Sequence, residues 1–183
     1  MWTWTAIDAD SKFVPSFLVG QRDVEHAIEF MNDLASRMAN RIQLTTDGLH
    51  IYIEAVGSGF HGEIDYTMLV KRYGTEPAGN ERYTPPKCIG CDDKAVGGNP
   101  DKEHISTSFV ERQNLTMRMR MRRFTRLTNA FSKKIENHEH AVALHFMHYN
   151  FVRRHQTLKM SPAMAAGVDS RLWSLEELVD LVP

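Results

Sequence analysis

The alternation of apolar and polar positions at the start of the chain predicts two strands. In "WTWTAI" Trp and Thr alternate as they do on a pleated surface, and "KFVPSFLVG" follows after the polar break "DADS". The break is short enough for an antiparallel hairpin, and Pro15, which cannot donate to a ladder, makes the second strand an edge or the site of a bulge. The period then changes. In "RDVEHAIEFMNDLASRMAN" Val24, Ile28, Met31, Leu34 and Met38 recur at helical spacing, with Asp23 placed as the N-cap. "RIQLTTD" reads as a short strand and "GLHIYIEAVGSGF" as a helix ended by its glycines, so the strand–helix–strand order predicts an α/β fold with helical crossovers. Near residues 74–104 Pro, Gly and charge erase both periods, which predicts a long loop excursion.

Beyond it, "STSFVERQNLTMRMRMRRFTRLTNAF" predicts one long helix capped by Ser106 or Ser108, with Val110, Met117, Met121, Phe124 and Phe131 on an apolar stripe. "NHEHAVALHFMHYNFVRRH" is a second helix, "SPAMAA" a short helical turn after Pro162, and "SLEELVDLV" an amphipathic helix capped by Ser174. These elements divide the chain into a core over residues 1–159 and a helical tail over 160–183.

Composition narrows the class. A chain of 183 residues suits one domain with a proper core, and 42% hydrophobic with 25% charged residues is ordinary globular usage. No apolar run reaches the ~18 residues of a membrane span, and no signal peptide leads the chain. The two cysteines, Cys88 and Cys91, make no secreted disulfide framework, so the expected location is the cytoplasm. The net charge of −1 conceals an asymmetry: residues 111–159 carry 11 Lys/Arg against 3 Asp/Glu, whereas residues 1–110 carry 10 against 16. That basic block is either a face for a polyanion or a solvated arginine-rich helix.

Two acids stand out. Asp47, in "LTTDGLHIY", ends a strand just before Gly48 and a helix, where open α/β sheets present their ligand crevice. It is placed either to bind a cation or to cap the helix. Glu111 lies at the edge of the apolar stripe, and on a continuous helix Arg118 and Arg122 return to its face. The alternative there is local charge balance. Taken together, two such carboxylates suggest a Mg²⁺ site for phosphoryl transfer, with arginines gripping the phosphate backbone bidentately.

Three segments, "TTDGLHIY", "FVERQNLTMRMRMRRFTRLTNAFSKK" and "HYNFVRRHQTLKMSPAMAA", resemble the DDE transposases of bacterial insertion sequences, which share a ribonuclease H-like core with retroviral integrases. The resemblance implies a mixed sheet flanked by helices, with Asp47 as the family's second acid and Glu111 as its third, followed seven residues on by Arg118. Tyr149, Asn150, Arg153, His155, Leu158 and Pro162 match the Y-N-x-x-R-P-H-x-x-L segment after the core, where Arg154 replaces the usual Pro. The segment resembling the family's first strand and its D-E-x-W acid has no counterpart: "WTWTAIDADSKFVPSFLVGQRD" resembles the second and third strands, which gives Asp8 and Asp10 turn roles rather than metal ligation. The expected form is thus a core without its first strand and first acid, and hence of little or no activity by itself.

What the resemblance implies is cleavage and strand transfer of double-stranded DNA at transposon ends and target, in a homo-oligomer associated with the bacterial nucleoid, using Mg²⁺ or Mn²⁺ held weakly where the first acid is absent. Asp47 and Glu111 are the expected catalytic and metal-ligating residues, and Arg118, Arg122, Arg123, Arg126, Lys133 and Lys134 the expected DNA contacts. The alternatives are a non-catalytic DNA-binding regulator or relic, and a ribonuclease H-like nuclease that cleaves without joining. Cys88-Ile-Gly-Cys91 has zinc-knuckle spacing with His104 downstream but no second pair, and His138, His140, His145 and His148 crowd one helix without forming a metal motif.

Overall fold

The structure, a computed structural model, describes residues 1–74, 88–125, 129–130 and 132–181. In chain order the elements are β1 (Trp2–Thr5), β2 (Phe17–Gly20), α1 (Val24–Ser36), β3 (Ile42–Thr46), α2 (Ile51–Phe60), β4 (Ile64–Tyr73), β5 (Cys88–Gly97), α3 (Ser108–Arg120), α4 (Ile135–Met147), α5 (Pro162–Ala165) and α6 (Leu175–Val179). They fall into two compact units. One joins Met1–Arg22 to Ser108–Pro183, and the other is Asp23–Thr107.

The unit Asp23–Thr107 is a small α/β layer. Asp23 caps α1 by accepting from the His26 amide at 3.0 Å, as its position before the apolar stripe predicts. The buried face of α1 is Ala27, Phe30, Met31 and Leu34, while Ile28 and Met38 of the predicted stripe are only half-buried. Gly59 brings α2 against that face: a Cβ there would lie 2.8 Å from the Met31 carbonyl oxygen, closer than any side chain can approach. The sheet has the order β3–β4–β5, parallel between β3 and β4 and antiparallel between β4 and β5. Ile64, Tyr66 and Met68 of β4 are buried and form its core side.

β5 corrects the sequence expectation. Residues 88–97 lie in the segment read as a loop, yet they pair with β4 over its length, Tyr66 opposite Gly97 and Tyr73 opposite Cys88. The strand is almost wholly exposed, so backbone pairing rather than burial holds it, and the alternating pattern that would betray a strand is missing.

The other unit packs the β1–β2 hairpin against helices. Its register sets Trp2 opposite Gly20 and Thr5 opposite Phe17, and Trp4 is fully buried with its indole N–H donating to the Gln21 carbonyl at 3.2 Å. Val14, Val19, Met117, Met121, Val142, Phe146 and Tyr149 form one apolar core. Asn150 locks the hairpin to the helices: its carbonyl oxygen accepts from the Val14 amide at 3.1 Å and its NH₂ donates to the Val14 carbonyl at 2.9 Å, both buried.

The predicted long helix is shorter than expected. α3 stops at Arg120, Met121 turns extended, and Arg122–Phe124 form a single 3₁₀ turn. The break is held by tertiary contacts: Arg123 of that turn donates to the Asn137 carbonyl at 2.8 Å, and Phe124 packs against the core. Met117 is buried on α3 while Met119, two residues on, is 66% exposed. Met121, one turn after Met117 and still bonded to its carbonyl at 2.8 Å, stays in the same core where the helix ends. Phe131, the end of the predicted stripe, lies outside the described residues. α4 likewise gives way to a π turn over His148–Val152. The short C-terminal helices start as predicted, α5 with Ser161 accepting from the Met164 amide and α6 with a reciprocal Ser174–Glu177 capping box.

The architecture is mixed α/β, with a three-stranded mixed sheet and flanking helices that are compatible with a ribonuclease H-like core. Among the described residues no helix is long and apolar enough to cross a membrane.

Candidate nucleic-acid interface

Asp47 follows the end of β3, where the strand gives way to α2. The buried Thr46 hydroxyl lies 2.9 Å from the Tyr66 hydroxyl and donates to the Asp47 carbonyl at 3.0 Å, pinning the strand end to β4. A Cβ at Gly48 would meet a Val70 methyl at 2.9 Å, so a larger residue there needs that side chain to shift. The Asp47 carboxylate is exposed, with one oxygen accepting from the Leu49 amide at 3.1 Å. This is a turn brace two residues ahead rather than a helix cap, since the residue before α2 is His50, which makes no side-chain cap bond. An exposed carboxylate is the donor type that a hard cation takes. Burial pushes the Tyr66 phenol up, opposed by the Thr46 hydrogen bond and reinforced by the Asp47 charge.

Glu111 sits exposed in the first turn of α3, where a carboxylate complements the helix dipole. Arg118 lies on the same helix and is exposed. Arg122 does not: the break at Met121 puts it in the 3₁₀ turn, so the continuous-helix argument that returned it to the Glu111 face fails. Arg123 is partly engaged within the fold, donating to the Ser132 hydroxyl and, at 2.8 Å, to the Asn137 carbonyl. It thereby ties the 3₁₀ turn to the start of α4. Lys133 and Lys134 are exposed just before α4, and Arg123, Lys133 and His140 together line an open depression there. Arg126 lies outside the described residues.

Asp8 belongs to the hairpin turn. Burial pushes its carboxyl up, but the Ser11 hydroxyl and amide and the Asp10 amide together hold it below the ordinary value. Next to it Lys12 adopts φ 60° and lays its ammonium 3.9 Å from the centre of the Phe109 ring on α3. Cys88 and Cys91 are exposed on β5 with their sulfurs 4.0 Å apart, and burial followed by the Cys88 thiol raises the Cys91 thiol. His104, the third residue of the zinc reading, is paired with Asp101 at 3.0 Å. Among the described residues no group of three or more His, Cys, Asp or Glu side chains could hold a metal ion.

The sequence reading named His145, His148 and Arg153 but did not group them with Arg120. Arg120 at the end of α3, His145 and His148 at the end of α4, and Arg153 after the π turn all act on one another electrostatically. His145 is held down to about 4, first by burial and then by Arg120, His148 and Arg153. The four are dispersed in the sequence, and only the α3–α4 packing collects them. The tail motif, by contrast, is largely structural: Tyr149 is core, Asn150 holds Val14, and His155 closes a turn by donating its amide to the Met160 carbonyl at 2.9 Å.

Neither a curated protein nor a solved structure gives a significant match to the chain. Residues 94–153, which run from β5 through α3 and α4 to Arg153 and include Glu111, match the family model described as IS1 transposase, and this match supports the reading of the chain as a DDE-type insertion-sequence transposase.

Proposed function

We propose that the chain is the core of a transposase that cleaves phosphodiesters and transfers strands at insertion-sequence ends, with little or no activity when the core acts by itself. The observation that carries this reading is the family match across the segment bearing both Glu111 and the basic residues of α3. Asp47 and Glu111 are the proposed ligands of Mg²⁺ or Mn²⁺. Both are exposed carboxylates, the donor type such hard cations take. A metal held by these residues would supply Lewis-acid activation of the attacking hydroxyl or water and charge stabilisation at the leaving oxygen.

The protein's own groups orient the DNA. Arg118, Arg122, Lys133 and Lys134 are exposed cations that grip backbone phosphates and carry no base information. Arg123 adds to that surface chiefly by fixing the turn between α3 and α4. Arg126 belongs to the same proposed set by its place in the basic block. A homo-oligomer working on the bacterial nucleoid, in the cytoplasm, completes the proposal.

The test is a strand-transfer assay on donor ends with Mg²⁺ or Mn²⁺. Weak joining that disappears in Asp47→Asn and in Glu111→Gln, with duplex binding retained, supports it. Duplex binding without joining in the unaltered chain favours the non-catalytic regulator, and cleavage of nonspecific duplex without joining favours the nuclease.

A further inference from the structure

Cys88 and Cys91 are three residues apart on β5, and in an unbroken strand they could not meet. Successive side chains point to opposite faces, so residues three apart diverge, with Cα atoms ~10 Å from each other. The pairing with β4 removes one residue from that count. Cys91 stands opposite Lys71, Gly90 opposite Arg72 and Cys88 opposite Tyr73, which leaves Ile89 as a bulged residue, 69% exposed and with nothing opposite it on β4. Lys71 and Tyr73 share one face of β4, so the two cysteines opposite them share that face of β5. Two strand steps span about 6.7 Å, inside the ~7 Å beyond which no disulfide can close. The sulfurs already lie 4.0 Å apart, and both cysteines are exposed.

The bulge is braced from the other face. There Arg72 lies across Gly90, where a Cβ would stand 3.2 Å from the guanidinium, and its Nε donates to Asp92 at 3.0 Å. The missing side chain at Gly90 leaves room for that crossing. Among the described residues no third His, Cys, Asp or Glu completes a metal site around the two thiols, so the chemistry open to them is with each other.

We propose that Cys88 and Cys91 form a reversible dithiol–disulfide site that reacts with small-molecule disulfides and, when oxidised, staples the start of β5 across its bulge. The reaction is thiol–disulfide exchange. One protein thiolate attacks a sulfur of the small disulfide, forms a mixed disulfide and expels a small thiolate. The other protein thiolate then attacks the protein sulfur of the mixed disulfide and expels the second small thiolate. Two hydrogens leave the protein, its two sulfurs are oxidised, and the small disulfide is reduced to two thiols. Excess small thiol reverses both steps. The site uses no part of the transposase reading and stands or falls separately from it.

The test incubates the full chain in buffers of varied ratio of oxidised to reduced glutathione, quenches with acid, alkylates the remaining thiols and reads intact and peptide masses. In the expected result both thiols lose alkylation together at one ratio, and the mass falls by two hydrogens with no glutathione retained. Cys88→Ser and Cys91→Ser each stop at the mixed disulfide and retain one glutathione. The double variant Cys91→Ser/Asp92→Cys keeps two thiols but moves one to the opposite face, so it loses the internal bridge and takes up glutathione at each cysteine. Asp92→Asn, the control for the lost ion pair, closes as the unaltered chain does. If the unaltered chain retains glutathione without closing, or its two cysteines respond at different ratios, the dithiol site is overturned. Equal closure in the double variant overturns it too, since the bulge would then not be what brings the thiols together. Bound Zn²⁺ that survives a chelator and keeps both thiols inert makes the pair a metal site and overturns the redox assignment.

Discussion

The two units of the chain carry opposite charge and are built on different terms. Asp23–Thr107 holds 8 Lys/Arg against 14 Asp/Glu, whereas the unit formed by residues 1–22 and 108–183 holds 14 against 9. The acidic unit is organised by backbone: a sheet whose last strand is exposed, and a helix pair brought together by a glycine. The basic unit is organised by side chains, with a contiguous apolar core and one buried amide bridging 136 residues of sequence. The lesson is that the cations cluster where packing, not hydrogen-bonded strands, sets the geometry. An arginine-rich surface thus rests on a core that a single substitution can loosen.

The largest expected effect tests that dependence. Asn150→Ala leaves the Val14 N–H and C=O buried without partners, which costs about 2–4 kcal/mol. All three tryptophans, Trp2, Trp4 and Trp173, lie in this unit, so urea denaturation followed by tryptophan fluorescence reads it directly. A midpoint unchanged by Asn150→Ala would show that the amide does not hold the hairpin. Next in size is Gly59→Val in the acidic unit. The added carbons must displace the Met31 backbone, at a cost of about 1–3 kcal/mol. Hydrogen exchange of the α1 and α2 amides checks it, and unaltered protection would mean that the two helices can separate slightly without penalty.

The same contrast explains what could be read in advance. α1 was legible because Asp23 and a 3.6-residue apolar period agree, and the hairpin because Trp–Thr alternation meets a short polar break. β5 was not, since "CIGCDDKAVG" has no apolar alternation, only Ile89 and Val96 as strand formers, and pairs because β4 offers an edge. Nor was the break after Arg120, because Met117, Met121 and Phe124 keep helical spacing across it. At the site, Asp47 and Glu111 each have a local signature, a strand end before glycine and a helix first turn beside arginines. His145, His148 and Arg153 were named from local patterns too, but nothing in the sequence joins them to Arg120, whose effect on them comes only with the fold.

The smallest expected effect lies at the base of the acidic unit. Asp65 receives a two-pronged bond from Arg41, at 2.8 and 3.1 Å, and a third from the Asn99 amide at 2.8 Å. It therefore joins the residue before β3 to the turn after β5. Gly98 makes this possible: it has φ +64°, and a Cβ there would collide with the Asp65 carboxylate. The Arg41 hydrogen bonds, and then the Asn99 amide, lower the Asp65 carboxyl to about 2. Because the folded value lies below the unfolded one, the stabilisation is complete above about pH 4 and fades as pH falls toward 2. Asp65→Asn removes that window, so its acid-denaturation curve between pH 4 and 2 should be shallower than that of the unaltered chain, with little change at neutral pH beyond the screened, exposed pair. Curves of equal slope would show that the β4–β5 base closes without the charge, which would make the acidic unit a matter of backbone pairing alone.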